Sequence, residues 1–165
     1  MAGHEKKSDV KLLAEKVKDI RIAMMTTQEA DGTLRSRPMA TQDVEFDGDL
    51  WFFTSSDAPK VGEVSQHHQV NISYSKPDNN LFVSVSGVAE LVRDHDKIKH
   101  YWRPFYKPWF PQGLDDPTLA LLKVHVEGAE YWDVPSGKMT LLYKLTKKAA
   151  GAREDIGEDV KLDMR

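Results

Sequence analysis

The chain has 165 residues and a formal net charge of -3, because 26 Asp and Glu outnumber 23 Lys and Arg. This length suits one domain, and the charge balance argues against a general nucleic-acid binder, which usually carries a basic excess on one face. Without a cysteine the chain can form no disulfide, thiolate nucleophile, zinc ribbon or iron–sulfur cluster, and without a signal-peptide or membrane-span pattern it is expected in the cytoplasm, bound to no membrane.

Helix and strand patterns alternate along the chain and are separated by turn residues. The first helix is predicted over residues 8–20, where Ser8 can cap it and apolar residues recur at spacings of three and four. Further helices are predicted over residues 60–67 and 94–102, the second of them capped by Asp94. The predicted strands are residues 22–27, 34–44, 50–54, 70–75 and 81–92, and a sixth strand follows a short helical turn within 119–132.

Six short strands with few helices indicate a mainly β fold, a β-barrel with peripheral helices. Residues 103–117 hold four of the eight prolines and are expected to form an irregular, packed loop. After a turn, residues 139–145 continue as a strand or a helix. The single domain is predicted to span residues 1–148, and the Gly- and charge-rich residues 149–165 are expected to form a flexible tail.

Two arginines lie on one face of the second predicted strand, because side chains alternate with a period of two. Arg35 and Arg37 flank Ser36, and Pro38 then removes a backbone donor from the strand. Guanidinium groups in this arrangement suit an anionic ligand, whose oxygens they can bind as a fork. Two solvated arginines on an edge strand are the alternative, and this segment alone favours that alternative.

A second polar segment follows the third predicted strand. Thr54 and Ser55 precede a helix whose start holds Lys60, so hydroxyls, backbone amides and a cation could bind an anion there. A helix cap with a surface lysine is the alternative. The strand of Arg37 and this segment belong to neighbouring predicted strands joined by a tight hairpin at residues 47–49. Both sets of groups would therefore meet at one end of the sheet, which favours the anion site.

Six aromatic side chains fall within ten consecutive residues, 101–110, at the start of the predicted proline-rich loop. They could stack on a flat ligand or close a dimer interface, or they could pack on the protein's own core. Trp132, at the end of a predicted strand, presents the same choice. The six side chains are Tyr101, Trp102, Phe105, Tyr106, Trp109 and Phe110.

Several segments together resemble a known family. Residues 35–39 (RSRPM), residues 50–54 (LWFFT) and the following Lys60 resemble the flavin-binding split barrel of the pyridoxamine phosphate oxidase-like family. Residues 109–117 (WFPQGLDDP) and 130–133 (EYWD) are similar to its bacterial general stress protein branch. The resemblance extends over nearly the whole predicted domain.

The resemblance implies a six-stranded split barrel that forms a homodimer, with two FMN sites at the subunit interface and FAD as an alternative cofactor. Arg37 and Lys60 would contact the phosphate, residues 38–40 would run along the isoalloxazine ring, and residues 53–54 would flank the ribityl chain. Aromatic side chains of the partner subunit would reach the flavin. The cofactor-binding residues implied are Arg37, Pro38, Met39, Ala40, Gln42, Phe53, Thr54, Ser55, Lys60, Trp109, Phe110 and Trp132.

The chain also departs from the true oxidase. Gln42 stands where the oxidase has a lysine, Pro59 stands where it has an arginine, and no Arg-x-His substrate motif follows Trp132. These departures argue against vitamin B6 oxidation. The function expected is that of an FMN-binding general stress protein with NAD(P)H-linked oxidoreductase activity. A non-catalytic flavin carrier or sensor and a structural dimer with an empty site are the alternatives, and no residue is assigned a catalytic or metal-binding role.

Overall fold

The computed structural model describes residues 2–41, 47–133 and 158–163 of the chain. Within these residues the fold consists of one antiparallel sheet with three helices on its periphery. The helices are α1 (Ala2–Val17), α2 (Pro59–Gln66) and α3 (His95–Tyr101). The strands are β1 (Ile22–Gln28), β2 (Leu34–Ala40), β3 (Asp49–Ser55), β4 (Gln69–Lys76), β5 (Leu81–Val92), β6 (Leu119–Asp133) and β7 (Glu158–Asp163). The mainly β class predicted from the sequence is thereby confirmed.

Six strands form a curled sheet in the order β2-β1-β4-β5-β6-β3. The long strand β6 carries two partners on one edge: its first half pairs with β3 and its second half with β7. A bulge at Ser86 and Gly87 shifts the register between β5 and β6. A Cβ atom on Gly87 would lie 2.4 Å from the His125 carbonyl oxygen, so this close approach of two strands requires glycine.

The predicted hairpin between β2 and β3 is wrong. These strands lie at opposite ends of the strand order, because β2 pairs with β1 and β3 pairs with β6. The tight turn of β2 is instead shared with β1, where Gly32 adopts a φ of 88°. Pro38 stands opposite Met24, and as a residue of an edge strand it needs no second ladder partner for the N–H it lacks.

Several element boundaries also differ from prediction. Helix α1 begins at Ala2, so Ser8 lies inside the helix rather than capping it. Residues 119–121 belong to β6 and form no helical turn. Strand β7 lies in the segment expected to be a flexible tail, and it pairs with β6. The predicted element at residues 139–145 lies outside the described residues.

Two hydrophobic clusters occupy opposite faces of the sheet. The inner cluster is centred on Met25, Ile72, Val85 and Phe52, each at most 1% exposed. The outer cluster lies mainly on β3 and the first half of β6, where α3 and the proline-rich loop pack on them. Both faces of these two strands are therefore buried, which explains why their sequences are continuous apolar runs rather than alternating ones. No helix among the described residues is long and apolar enough to cross a membrane.

Candidate anion-binding site

A network of polar side chains joins β1, β2 and α2. Arg37 lies on the same face of β2 as the buried Met39, and its side chain is directed toward α2. Its Nη1 donates a hydrogen bond to Oγ1 of Thr27 on β1 at 2.7 Å. Its Nη2 donates to Oε2 of Glu63 on α2 at 2.9 Å. The Thr27 hydroxyl also donates to the same Glu63 oxygen, so the three side chains close a ring.

This network is largely withdrawn from water. The side chains of Arg37 and Glu63 are 15% and 12% exposed, and Thr27 is 1% exposed. A charged pair at this depth requires mutual pairing and further hydrogen bonds to offset its desolvation. The ring supplies both, and it holds the guanidinium of Arg37 in one orientation while leaving its other N–H groups available.

Lys60 brings a second cation to the same place. It lies one turn before Glu63 on α2, and these positions share a helix face. Burial lowers the pKa of Lys60 below 10.5, and the nearby charge of Arg37 lowers it further, whereas Glu63 acts in the opposite direction. Two cations forced together in a half-buried position favour an anion between them, because the anion restores the charge balance.

The start of α2 adds to the positive potential. Pro59 occupies the first turn, Ala58 makes no side-chain capping bond, and the first turn holds no acidic residue. The positive end of the helix dipole is therefore not neutralised by its own cap. Lys60, Arg37 and this helix start are donors suited to a phosphate, whereas Glu63 brings an opposing charge to the same cluster.

The polar segment after β3 leads into this helix. Thr54 is 1% exposed, and its Oγ1 donates to the Ser55 carbonyl oxygen at 3.3 Å. The same carbonyl accepts a hydrogen bond from the Ala58 amide at 3.0 Å. The turn at residues 55–58 therefore connects the end of β3 to the start of α2, and it fixes where Lys60 enters the site.

The other predicted cofactor residues lie in several environments. Met39 is buried in the inner cluster, Ala40 packs against the outer cluster, and Pro38 is exposed on the outer face. Trp132 is half-buried opposite Phe82 of β5. Gln42 lies outside the described residues. Of the predicted set, Arg37 and Lys60 are the charged pair that the fold brings together, and it does so through α2 rather than through a hairpin.

The aromatic side chains of the proline-rich loop pack mainly on the protein itself. Phe53 is their centre, with ring centroids 5.0 Å from Tyr106, 5.5 Å from Trp102 and 6.2 Å from Phe110. Phe105 and Trp109 are the exposed exceptions, at 42% and 53%. Internal packing therefore accounts for most of these rings, and the two exposed ones remain available for an interface.

Sequence reasoning missed two members of the site, Thr27 and Glu63. Thr27 follows the alternation of β1 and faces inward, which marks a hydroxyl in the core that needs a partner. Glu63 stands three residues after Lys60, a spacing that places both on one face of α2. These signals were present in the sequence, but neither identifies Arg37 as the common partner.

Comparison with known proteins gives a consistent result. The profile of the family described as Pyridoxamine 5'-phosphate oxidase like matches residues 8–155. The protein bli-3 of Neurospora crassa is 31% identical over 121 residues, which are 67% of this chain but 58% of that protein. The chain thus spans little more than half the length of this relative.

Solved structures share the fold. The general stress FMN/FAD binding protein of Xanthomonas citri is 27% identical, with a TM-score of 0.62 over 81% of this chain and 90% of that one. A Clostridium acetobutylicum protein related to general stress protein 26 is 14% identical, with a TM-score of 0.71 over 96% of both chains. This likeness confirms the predicted split-barrel fold.

Proposed function

We propose that this chain, which belongs to the pyridoxamine 5'-phosphate oxidase-like family, binds a flavin nucleotide through Arg37 and Lys60. The observation that carries the proposal is the meeting of these two cations at the start of α2, where burial and the charge of Arg37 lower the pKa of Lys60. A phosphate group would supply the negative charge that this arrangement favours. FMN is the flavin proposed, with FAD as the alternative.

The remaining sequence-predicted residues have defined parts in this proposal. The backbone at residues 38–40 lies on an edge strand that pairs with β1 on one side, and we propose that the flat ring lies along its other side. Thr54 and Ser55 lie in the segment that leads into α2, beside the proposed phosphate position. No described contact joins Trp109 or Trp132 to Arg37 within one subunit. We propose that these two side chains contact the flavin from a partner subunit.

A homodimer is part of the proposal. Apolar side chains are exposed on the outer face of β1 and β2, where Ile22 is 44%, Met24 39% and Leu34 69% exposed. Their exposure on adjacent strands is typical of a surface that another chain covers. Sedimentation velocity of the purified protein tests this part: a dimeric mass supports it, and a monomeric mass at micromolar concentration contradicts it.

When bound, the flavin supplies hydride and electron transfer. The chain's own contribution is to hold the phosphate at Arg37 and Lys60 and to position the ring against the edge of β2. We propose that the protein is an FMN-dependent oxidoreductase of the general stress type that receives electrons from NADH or NADPH. A flavin carrier without turnover is the competing function.

Titration with FMN tests the proposal. Four tryptophans provide a fluorescence signal that a bound flavin would quench, and FMN should also raise the melting temperature of the protein. Protein that shows neither effect with FMN or FAD contradicts flavin binding. If FMN binds but NADH and NADPH leave its visible absorbance unchanged without oxygen, the carrier function replaces the oxidoreductase.

A further inference from the structure

The site contains one charge that works against a phosphate ligand. Glu63 lies on the same helix face as Lys60, and its carboxylate is bound directly to Arg37 at 2.9 Å. Within the cluster of Arg37, Lys60 and Glu63, two positive charges therefore face one negative charge. A phosphate monoester carries about 1.5 to 2 negative charges at neutral pH, so this site balances it only in part.

The negative charge of Glu63 is held close to the cations. With 12% of its side chain exposed, Glu63 is poorly screened by water. Its Oε2 accepts hydrogen bonds from both Arg37 and Thr27, so the carboxylate is fixed on the guanidinium that would bind the phosphate. Any anion bound by Arg37 would lie within the range of this charge, and repulsion between the two would weaken binding.

We propose that Glu63 is a specificity-determining residue, whose carboxylate offsets the charge of Arg37 and reduces the preference of the site for phosphorylated over unphosphorylated flavin. This inference rests on the flavin function proposed above. It predicts a flavin nucleotide that is held as an exchangeable ligand, because most of the phosphate attraction is left to Lys60 and the start of α2.

The variant Glu63→Gln isolates this effect. Glutamine has the same shape and keeps an oxygen that can accept from Arg37 and Thr27, so the ring of hydrogen bonds can persist without the negative charge. We expect the Kd for FMN to fall about tenfold, as one removed charge acting on a phosphate would give. The Kd for riboflavin, which has no phosphate, should stay within about twofold of the wild-type value, since no charge of the ligand responds to the change.

Glu29 provides the matched control. It pairs with Arg35 at 3.9 Å and its side chain is 37% exposed, so it is a solvated acid near the same end of β1. Glu29→Gln should change neither Kd. A Kd for FMN that is unchanged or higher in Glu63→Gln than in the wild-type protein overturns the proposal. If the wild-type protein binds none of FMN, FAD and riboflavin, flavin binding itself is contradicted instead.

A second pair of variants covers the case in which Glu63→Gln does not fold. Arg37→Gln leaves Lys60 as the one cation of the cluster beside Glu63, whereas Arg37→Gln combined with Glu63→Gln restores the net charge of the wild-type cluster. The double variant should bind FMN at least about tenfold more tightly than Arg37→Gln alone, because it lacks the repulsion between the Glu63 carboxylate and the phosphate. Equal Kd values for these two variants would also overturn the role of Glu63.

Discussion

The charged network around Arg37 and the aromatic loop on Phe53 both stand out in the sequence, but they differ in how they are built. The rings at residues 101–110 are close in sequence, and three of the six pack on one central ring. The network of Arg37, Thr27 and Glu63 is assembled from three separate elements. Side-chain type suggested a ligand at both places, but the packing differs. Most of the rings complete a hydrophobic core, whereas the buried charges form the candidate site.

The largest expected effect breaks the charged network. Arg37→Ala removes the partner of a buried carboxylate, so the free energy of unfolding should fall by about 3 to 5 kcal/mol. Denaturation in urea measures this change. Arg35→Ala is the control, because Arg35 lies on the same strand face, is 55% exposed and pairs with Glu29 at 3.9 Å; it should cost less than about 1 kcal/mol. An equal decrease in the free energy of unfolding for the two variants would mean that the buried network adds no stability beyond that of an exposed ion pair.

The next effect tests the aromatic loop. Tyr106 is 3% exposed and packs on Phe53 at 5.0 Å, so Tyr106→Ala should lower the free energy of unfolding by about 3 kcal/mol through loss of buried area and a cavity. Phe105→Ala at the neighbouring exposed ring should cost below about 1 kcal/mol. If the exposed ring were the more costly one, an interface rather than the core would dominate this loop.

A smaller effect concerns pH. Because the pKa of Lys60 lies below 10.5 in the free protein, rising pH removes its proton before that of an ordinary lysine. Its attraction for phosphate should then be lost, so the Kd for FMN should rise in the alkaline range, at a lower pH than an ordinary lysine would give. Lys60→Arg keeps its charge throughout this range and should show a flatter profile. Parallel profiles would exclude Lys60 as the titrating phosphate contact.

Much of the fold could be predicted from the sequence. Strand β5 has the predicted bounds of residues 81–92, since its alternation and the turn before it are local signals. The pairing of β3 with β6 is not local: two continuous apolar runs, 64 residues or more apart, match any buried strand. Strand β7 was not predicted for the same reason. Its short polar sequence has no local strand pattern, and it forms a strand by pairing with β6.

The candidate site was predictable in part. The period of β2 placed Arg35 and Arg37 on one face, and the proline before Lys60 marked a helix start; both features are present in the structure. The meeting of Arg37 and Lys60 was expected for the wrong reason, a hairpin, whereas packing of α2 against β1 brings it about. Glu63 was not expected at all, because an acidic residue on a short helix usually faces solvent.

The central claim is that Lys60, with Arg37, holds the phosphate of a flavin nucleotide. Titration of FMN into Lys60→Ala and Lys76→Ala tests it most directly, since Lys76 lies at the end of β4, paired with Asp19 at 3.6 Å. We predict that Lys60→Ala raises the Kd for FMN by about tenfold or more, the loss expected for a charge-assisted hydrogen bond, while Lys76→Ala stays close to the wild-type value. Equal affinities of the two variants would contradict the claim and remove Lys60 from the site.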